Sequence, residues 1–256
     1  MKTRPDFHQI KFGNRGKNTL LTEPIYFNTE VLAMRKYLAW SLVIIVFLLG
    51  GISVFINPIE NFAIHQMTNQ SLHLKIQSLH SNHHANNPTF DFKKVKPVNI
   101  TIVRKSLFKT GSAGLIGKIA IPAVNLKLPI YNGINNTNLL KGAGTMKSNE
   151  KMGTGNYALA GHHMANPHIL FSPLINVRRG EKILLTNGKT CYIYKIRLKK
   201  VINKYQIGFI NTIHHKKLIT LITCSSPKAG ETNRILIQGR LVDKAPITSQ
   251  QQRTFN

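Results

Sequence analysis

Cys224 is the thiol in this chain placed where chemistry is done. It follows an apolar, β-rich run, residues 217–223, and precedes the turn formers Ser225, Ser226, Pro227 and Gly230. Arg234 heads a second run, residues 234–241, that alternates as a strand does. Two neighbouring strands of this kind put a thiol and a guanidinium side by side at one rim. A cysteine nucleophile requires a proton-transfer partner and a cationic or N–H-rich place for the oxyanion. Guanidinium offers several fixed donors and stays protonated, so Arg234 suits the oxyanion and a substrate carbonyl rather than proton transfer. Arg240, at the other end of the same run, is too far along to share the rim. The proton partner has to come from elsewhere, and the chain offers His162 and His163 at the end of a short strand candidate, residues 156–161. Adjacent side chains on a strand face opposite ways, so only one of the two can face Cys224. No Asp or Glu stands near them in sequence, so a third member of a triad is not visible.

The elements that must position these residues are short strands. Residues 117–121 and 126–131 are apolar-rich runs split by Pro122 and Asn125. Asn132-Gly133 signals a turn, and residues 138–141 a helical turn. Residues 182–186, then Asn187-Gly188, then 189–199 form the strongest hairpin signal in the chain. Residues 200–216 read as a connection into the strand that ends at Cys224. Seven or eight short strands with little helix predict an all-β barrel or sandwich.

Ahead of this region the texture changes. Residues 38–56 carry no charge and are long enough to span a bilayer as a helix. Arg35 and Lys36 abut the segment, while the nearest Lys beyond it is Lys75, which places the N-terminus in the cytoplasm and the bulk outside. The following Asn57-Pro58-Ile59-Glu60 is a poor cleavage site, which favours an uncleaved signal-anchor. The expected organisation is a cytoplasmic tail (1–37), a transmembrane anchor (38–57) that contacts lipid, an extracytoplasmic extension (58–110), a catalytic domain (111–242) and a polar C-terminal tail (243–256). Within the extension, residues 61–79 have helical spacing, and the histidine-bearing run 80–88 lacks the carboxylate or cysteine that would complete a metal site, so it reads as linker. The formal net charge of +26, from 35 Lys+Arg against 9 Asp+Glu, favours polyanions such as anionic lipid or cell-wall polymer. Two cysteines make no disulfide framework; Cys191 reads as a structural thiol, and both are expected to be reduced.

Thr220-Leu221-Ile222-Thr223-Cys224 resembles the TLxTC signature of sortases, the membrane-anchored transpeptidases of Gram-positive bacteria. Arg234-Ile235-Leu236-Ile237-Gln238-Gly239 resembles the arginine strand of that family, and Ala158-Leu159-Ala160-Gly161-His162 the segment carrying its histidine. The three occur in the family's order behind one membrane anchor, with class A the most similar. The resemblance implies an eight-stranded β-barrel. It implies Cys224 as nucleophile, His162 rather than His163 as general acid and base, and Arg234 as stabiliser of the oxyanion and substrate. It also implies cleavage of an LPxTG-like sorting signal between Thr and Gly through a thioester, and transfer of surface-protein substrates to an amine of a peptidoglycan precursor. An apolar groove for the Leu-Pro part is expected from Ala160, Ile222 and the 200–216 connection, which holds Ile202, Ile207, Phe209 and Ile210, with Thr223 helping to position the site. No cofactor, no metal and no nucleic acid partner are expected. Calcium needs several oxygen ligands, usually with carboxylates among them, and residues 131–148 and 201–223 contain no Asp or Glu. The rival readings are a sortase of another class acting on pilins or a specialised substrate, a thiol hydrolase of the same fold, and a non-enzymatic anchor that binds anionic wall polymer.

Overall fold

The computed structural model describes residues 29–74, 76, 88–92, 95 and 114–256. The basic tail before residue 29, and the run 80–88 apart from Pro88, lie outside the described residues. The chain divides into two units, residues 1–56 and 57–256. A helix, α1 (Thr29–Leu72), supplies the described part of the first. Its stretch Met34–Gly51 is long and apolar enough to cross a membrane, and none of it is buried. Trp40 and Phe47 are among the large apolar side chains that face outward there, as a helix apolar all round requires of its surroundings.

In the second unit eight strands close a barrel: β1 (Leu115–Ile121), β2 (Leu126–Tyr131), β3 (Ala143–Thr145), β4 (Asn156–Ala160), β5 (Lys182–Thr186), β6 (Thr190–Asn203), β7 (Leu218–Cys224) and β8 (Asn233–Pro246). They run in the order β1-β2-β3-β4-β7-β8-β6-β5, with β1 pairing back onto β5. β2–β3 and β4–β7 are parallel; the other pairs are antiparallel. The β5–β6 hairpin is the one the Asn187-Gly188 pair predicts. Gly188 sits at φ 87, and the Asn187 Oδ1 accepts from the Lys189 and Thr190 N–H groups. A short helix, α2 (Asn136–Lys141), begins earlier than its apolar residues suggest because the Asn135 side chain caps it by accepting from the Asn138 N–H. Three-residue β3 has no period of its own to read. Its Gly144 lies so close to the Gly133 carbonyl that no side chain fits.

Alternate residues of every long strand fill the barrel, among them Ile119, Leu128, Leu159, Tyr194, Leu221 and Ile237. The end of α1 is part of this core: Ile64 and Met67 join it, and Leu72, two helical periods on from Ile64, is buried as well. The segment read as extension therefore contributes to the folded unit. The C-terminal residues also differ from a polar tail. β8 continues past Val242 to Pro246 as the partner of the start of β6, and a helix, α3 (Ser249–Phe255), follows. Thr248 and Gln251 form a reciprocal capping box at its start. Its one aromatic, Phe255, is 1% exposed and packs with Ala120, Leu184 and Cys191. Lys118 Nζ donates to Asn256 Oδ1 at 2.8 Å and Lys127 Nζ to the Asn256 carbonyl at 2.7 Å.

Candidate active site

β7 and β8 end together, and their last rung is the pair Cys224 and Arg234. The Ser225 N–H then donates to the Asn233 carbonyl at 3.0 Å, closing the turn between the strands. β4 runs parallel to β7 on its other side, with Ala160 opposite Ile222. The Gly161 N–H donates to the Ile222 carbonyl, so the register continues one step past the strand. Two residues on from that rung, His162 stands level with Cys224. Thiol, imidazole and guanidinium thus come from three adjacent strands and share one rim. The alternation along β7 decides what faces out: Ile222 and Cys224 are half-buried, while Leu221 and Thr223 are buried.

His162 is held by its own backbone. Its carbonyl accepts from the Phe171 N–H at 3.0 Å, and Gly161 lies flat against the Phe171 ring, where any side chain would collide. Burial pushes the imidazole down to about 4. Burial likewise raises the Cys224 thiol above its ordinary value; the Arg234 guanidinium works against that rise and the Glu231 carboxylate adds to it. At neutral pH the resting pair is therefore a thiol beside a neutral imidazole. His163 has a distinct task. Its Nδ1 lies 2.7 Å from the Cys224 carbonyl, so the protonated nitrogen donates and ties down the backbone of the residue that carries the thiol. An isolated bridge to Leu170 holds His163 in turn.

Arg234 spends Nη1 on the carbonyls of Glu231 (2.7 Å) and Asn233 (2.9 Å). The Glu231 carboxylate accepts from the Asn233 N–H and the Ser226 hydroxyl, both at 2.7 Å. Those bonds, the Asn233 N–H foremost, hold its carboxyl down to about 2. Glu231 therefore organises the turn from which Arg234 projects. Its position in the turn between two strand signals is the feature of the sequence that could have marked it.

The wall beside this rim is the β6–β7 connection, which contains a 3-10 turn, Ile207–Ile210. Lys147 fastens it. The ammonium donates to the carbonyls of Ile210 (2.6 Å) and Asn156 (2.8 Å) and lies 3.2 Å from Glu150 Oε1. Asn156 adds bonds from Nδ2 to the carbonyls of Phe209 (2.8 Å) and Asn211 (3.1 Å), and its Oδ1 accepts from the Thr220 hydroxyl. Glu150 accepts from the Ala158 N–H, and burial pushes its carboxyl up to about 7 despite that bond and Lys147. Nothing in the sequence marks Lys147 and Glu150 as the residues that fasten this connection.

Of the expected groove residues, Ala160 and Ile222 come together. They border an apolar cluster on the barrel exterior with Ala158, Met146 and Ile210, and Val95 lies against it. Ile210, not Ile207 or Phe209, is the member of the connection in that cluster. Ile207 is exposed, and the Phe209 ring lies 5.7 Å from Lys200 Nζ. Thr223 does not reach the surface: it is 2% exposed, and its buried hydroxyl has no hydrogen-bond partner among the described residues.

An eight-stranded barrel with a thiol, an imidazole and a guanidinium on three adjacent strands is the architecture of a thiol acyl-transfer enzyme. A sortase-domain family model matches residues 119–242. Sortase A of Listeria monocytogenes is 32% identical over 217 residues, covering 84% of this chain and 96% of that protein. Sortase A of Streptococcus agalactiae is 34% identical over 212 residues, covering 80% and 85% respectively. The crystal structure of Listeria monocytogenes sortase A aligns with a TM-score of 0.53 at 39% identity, over 56% of this chain and 97% of that one. The chain belongs to the sortase family, class A, and is a transpeptidase.

Proposed function

We propose that this protein cleaves an LPxTG-like sorting signal between Thr and Gly and joins the Thr carboxyl to an amine of a peptidoglycan precursor. The observation that carries this reading is the shared rung of Cys224 and Arg234 with His162 level beside it. In the first half-reaction the Cys224 sulfur attacks the Thr carbonyl and its proton passes to His162. The oxyanion takes donors from Arg234. Collapse breaks the C–N bond, the imidazolium returns the proton to the leaving amine, and a thioester remains on Cys224. In the second half-reaction the incoming amine attacks the thioester. Its proton moves through His162 to the departing thiol. The peptide's apolar Leu-Pro part lies on the face bordered by Ala160 and Ile222. The segment Met34–Gly51 crosses the membrane with the N-terminus in the cytoplasm, so the barrel meets surface-protein substrates outside.

The test incubates the protein with a quenched LPxTG-type peptide, with and without triglycine, and weighs enzyme and products. Wild type gains the mass of the acyl fragment, and triglycine yields the transfer product. Cys224→Ala forms neither. A product cut at another bond, or an adduct that survives in Cys224→Ala, refutes the assignment.

A further inference from the structure

The side chains of directly paired residues on neighbouring strands share one face of the sheet. In the barrel Lys182 of β5 pairs with Lys195 of β6, and Lys195 pairs with Arg240 of β8. One rung therefore carries three cations in a row across three strands, and all three are exposed. Arg197 is exposed beside them, where the β6–β8 register slips between Ile196 and Leu198. Strands lie ~4.8 Å apart, so the row spans ~10 Å before its side chains extend.

No carboxylate pairs with this row among the described residues, whose one ion pair is Lys147–Glu150. Glu181, next to Lys182, accepts from the Arg178 N–H at 2.9 Å, and Asp243, further along β8, accepts from the Lys244 N–H at 2.8 Å. Like charges set directly opposite each other destabilise a sheet. Two such contacts on one rung, in a chain of net charge +26, are a cost to the fold that a bound polyanion would offset.

What the row lacks narrows its occupant. On β5, β6 and β8 the exposed large apolar side chains are Val201 and Val242, and no aromatic is among them. A surface that enters a bilayer sets apolar side chains among its cations, and one that holds single-stranded nucleic acid offers aromatic rings to the bases. A row of bare ammonium and guanidinium groups fits a chain that is phosphate and polyol throughout, with neither acyl chain nor base. Position separates the row from the chemistry. Arg240 pairs with Leu218 at one end of β7, and Arg234 with Cys224 at the other. The two rungs are ~20 Å apart along the strand.

We infer that Lys182, Lys195 and Arg240 form a docking surface for a linear phosphodiester polymer of the cell surface, which holds the barrel without occupying its active rim. Meeting such a polymer rests on the proposed outward placement of the barrel; the binding itself does not.

Lipid-free poly(glycerol phosphate) is the probe, titrated against the full chain in detergent. Phosphatidylglycerol vesicles, oligothymidylate and polyglutamate serve as comparisons. Lys182→Gln/Lys195→Gln/Arg240→Gln is expected to weaken the probe at least ~10-fold and to flatten the log–log salt slope by about 2–3. Lys151→Gln/Lys189→Gln/Lys204→Gln removes the same charge from exposed residues elsewhere and should weaken it less than ~3-fold. The row variant should melt no lower than wild type, because its like-charge contacts are gone, and should cleave the LPxTG-type peptide as wild type does. Equal weakening in the two triple variants shows an effect of net charge and overturns the row as a site. A lower melting temperature in the row variant shows that these charges serve the fold, and also overturns the reading. Any comparison bound as tightly as the probe overturns the assignment to a polyol phosphate. Failure of the proposed function looks different: no acyl-enzyme forms, while the difference between the two triple variants persists.

Discussion

Lys147→Met tests how the β6–β7 connection is held. Glu150 is 4% and Lys147 26% exposed at the side chain, so the substitution strands a carboxylate with almost no access to water. The stranded carboxyl stays protonated instead, so the pH-dependent part of the loss at pH 8.5 is at most ~2 kcal/mol, about 1.4 kcal/mol for each pH unit above the folded value of about 7. In a unit of this size ~2 kcal/mol corresponds to a fall in Tm of ~4–8 °C. The pH dependence identifies the cause. In the folded protein Glu150 is raised to about 7, above its ordinary value of 4.5. A carboxyl raised on folding is neutral in both states at low pH and lowers stability as pH rises toward its folded value. Without Lys147 that value rises further. Wild type and variant therefore lose stability in parallel up to about pH 7, and the gap between them opens above it. Circular dichroism melts at pH 5.5 and 8.5 make the comparison, and Lys147→Met/Glu150→Gln should recover much of the loss at the higher pH. Equal destabilisation at both pH values, or no recovery in the double variant, refutes the stranded-carboxylate account and leaves only the lost bonds to the carbonyls of Ile210 and Asn156.

His162→Ala should lower peptide turnover ~10²–10⁴-fold, the range for loss of a general acid or base. His163→Ala, which releases the Cys224 carbonyl, should have the smaller effect; the reverse order of damage would show the wrong imidazole was assigned. With His162 held down to about 4 by burial and the thiol raised, kcat/KM should stay level through the neutral range and fall only as pH drops through about 4; an acid limb near the ordinary imidazole value would contradict that desolvation. Transfer should be indifferent to millimolar Ca²⁺ and to EDTA, because the ammonium of Lys147, and no carboxylate of the connection, joins the two loops; a several-fold rise with Ca²⁺ but not Mg²⁺ would reveal a missed site. Phe255→Ala should destabilise the barrel by ~3–5 kcal/mol, since its ring is buried in the fold, and an unchanged denaturation midpoint would return α3 to the status of a tail.

What could be read from the sequence followed from periodicity, and what could not followed from its absence. β7 and β8 are long enough to alternate, and a turn of known chemistry joins them, so the pairing of Cys224 with Arg234 was legible as geometry. The β5–β6 hairpin was legible through Asn187-Gly188. β3 has three residues and is defined only by the neighbours on each side. The helical spacing of the end of α1 was legible, but its docking, like the whole of α3, was not: each buries few apolar residues, Ile64, Met67 and Leu72 in one and Phe255 in the other, and their burial is a property of the surface they meet. The histidines show the limit most clearly. Alternation says that only one of His162 and His163 can face the thiol, but not which, and nothing in the sequence says that His163 binds the Cys224 carbonyl. Thr223 lies on the inner face for the same reason that Cys224 lies on the outer one: adjacent residues of one strand cannot share a face.

The resting state of Arg234 bears on how the site works. A free guanidinium beside a thiol would depress the thiol and favour a standing thiolate, yet burial prevails and Cys224 remains raised. The geometry gives the reason. Nη1 faces back into the turn, toward the carbonyls of Glu231 and Asn233, so part of the positive charge is already answered there. Guanidinium has five donors in a fixed plane, and two bonds from one nitrogen leave the remainder free. The anchored plane therefore acts as a preset donor rather than a mobile one, at its strongest when a charged oxygen arrives and weaker toward a buried thiol that has not ionised. In the proposed reaction such an arrangement would stabilise charge that exists only in the transition state, which is where stabilisation accelerates a reaction, while the resting thiol stays protonated.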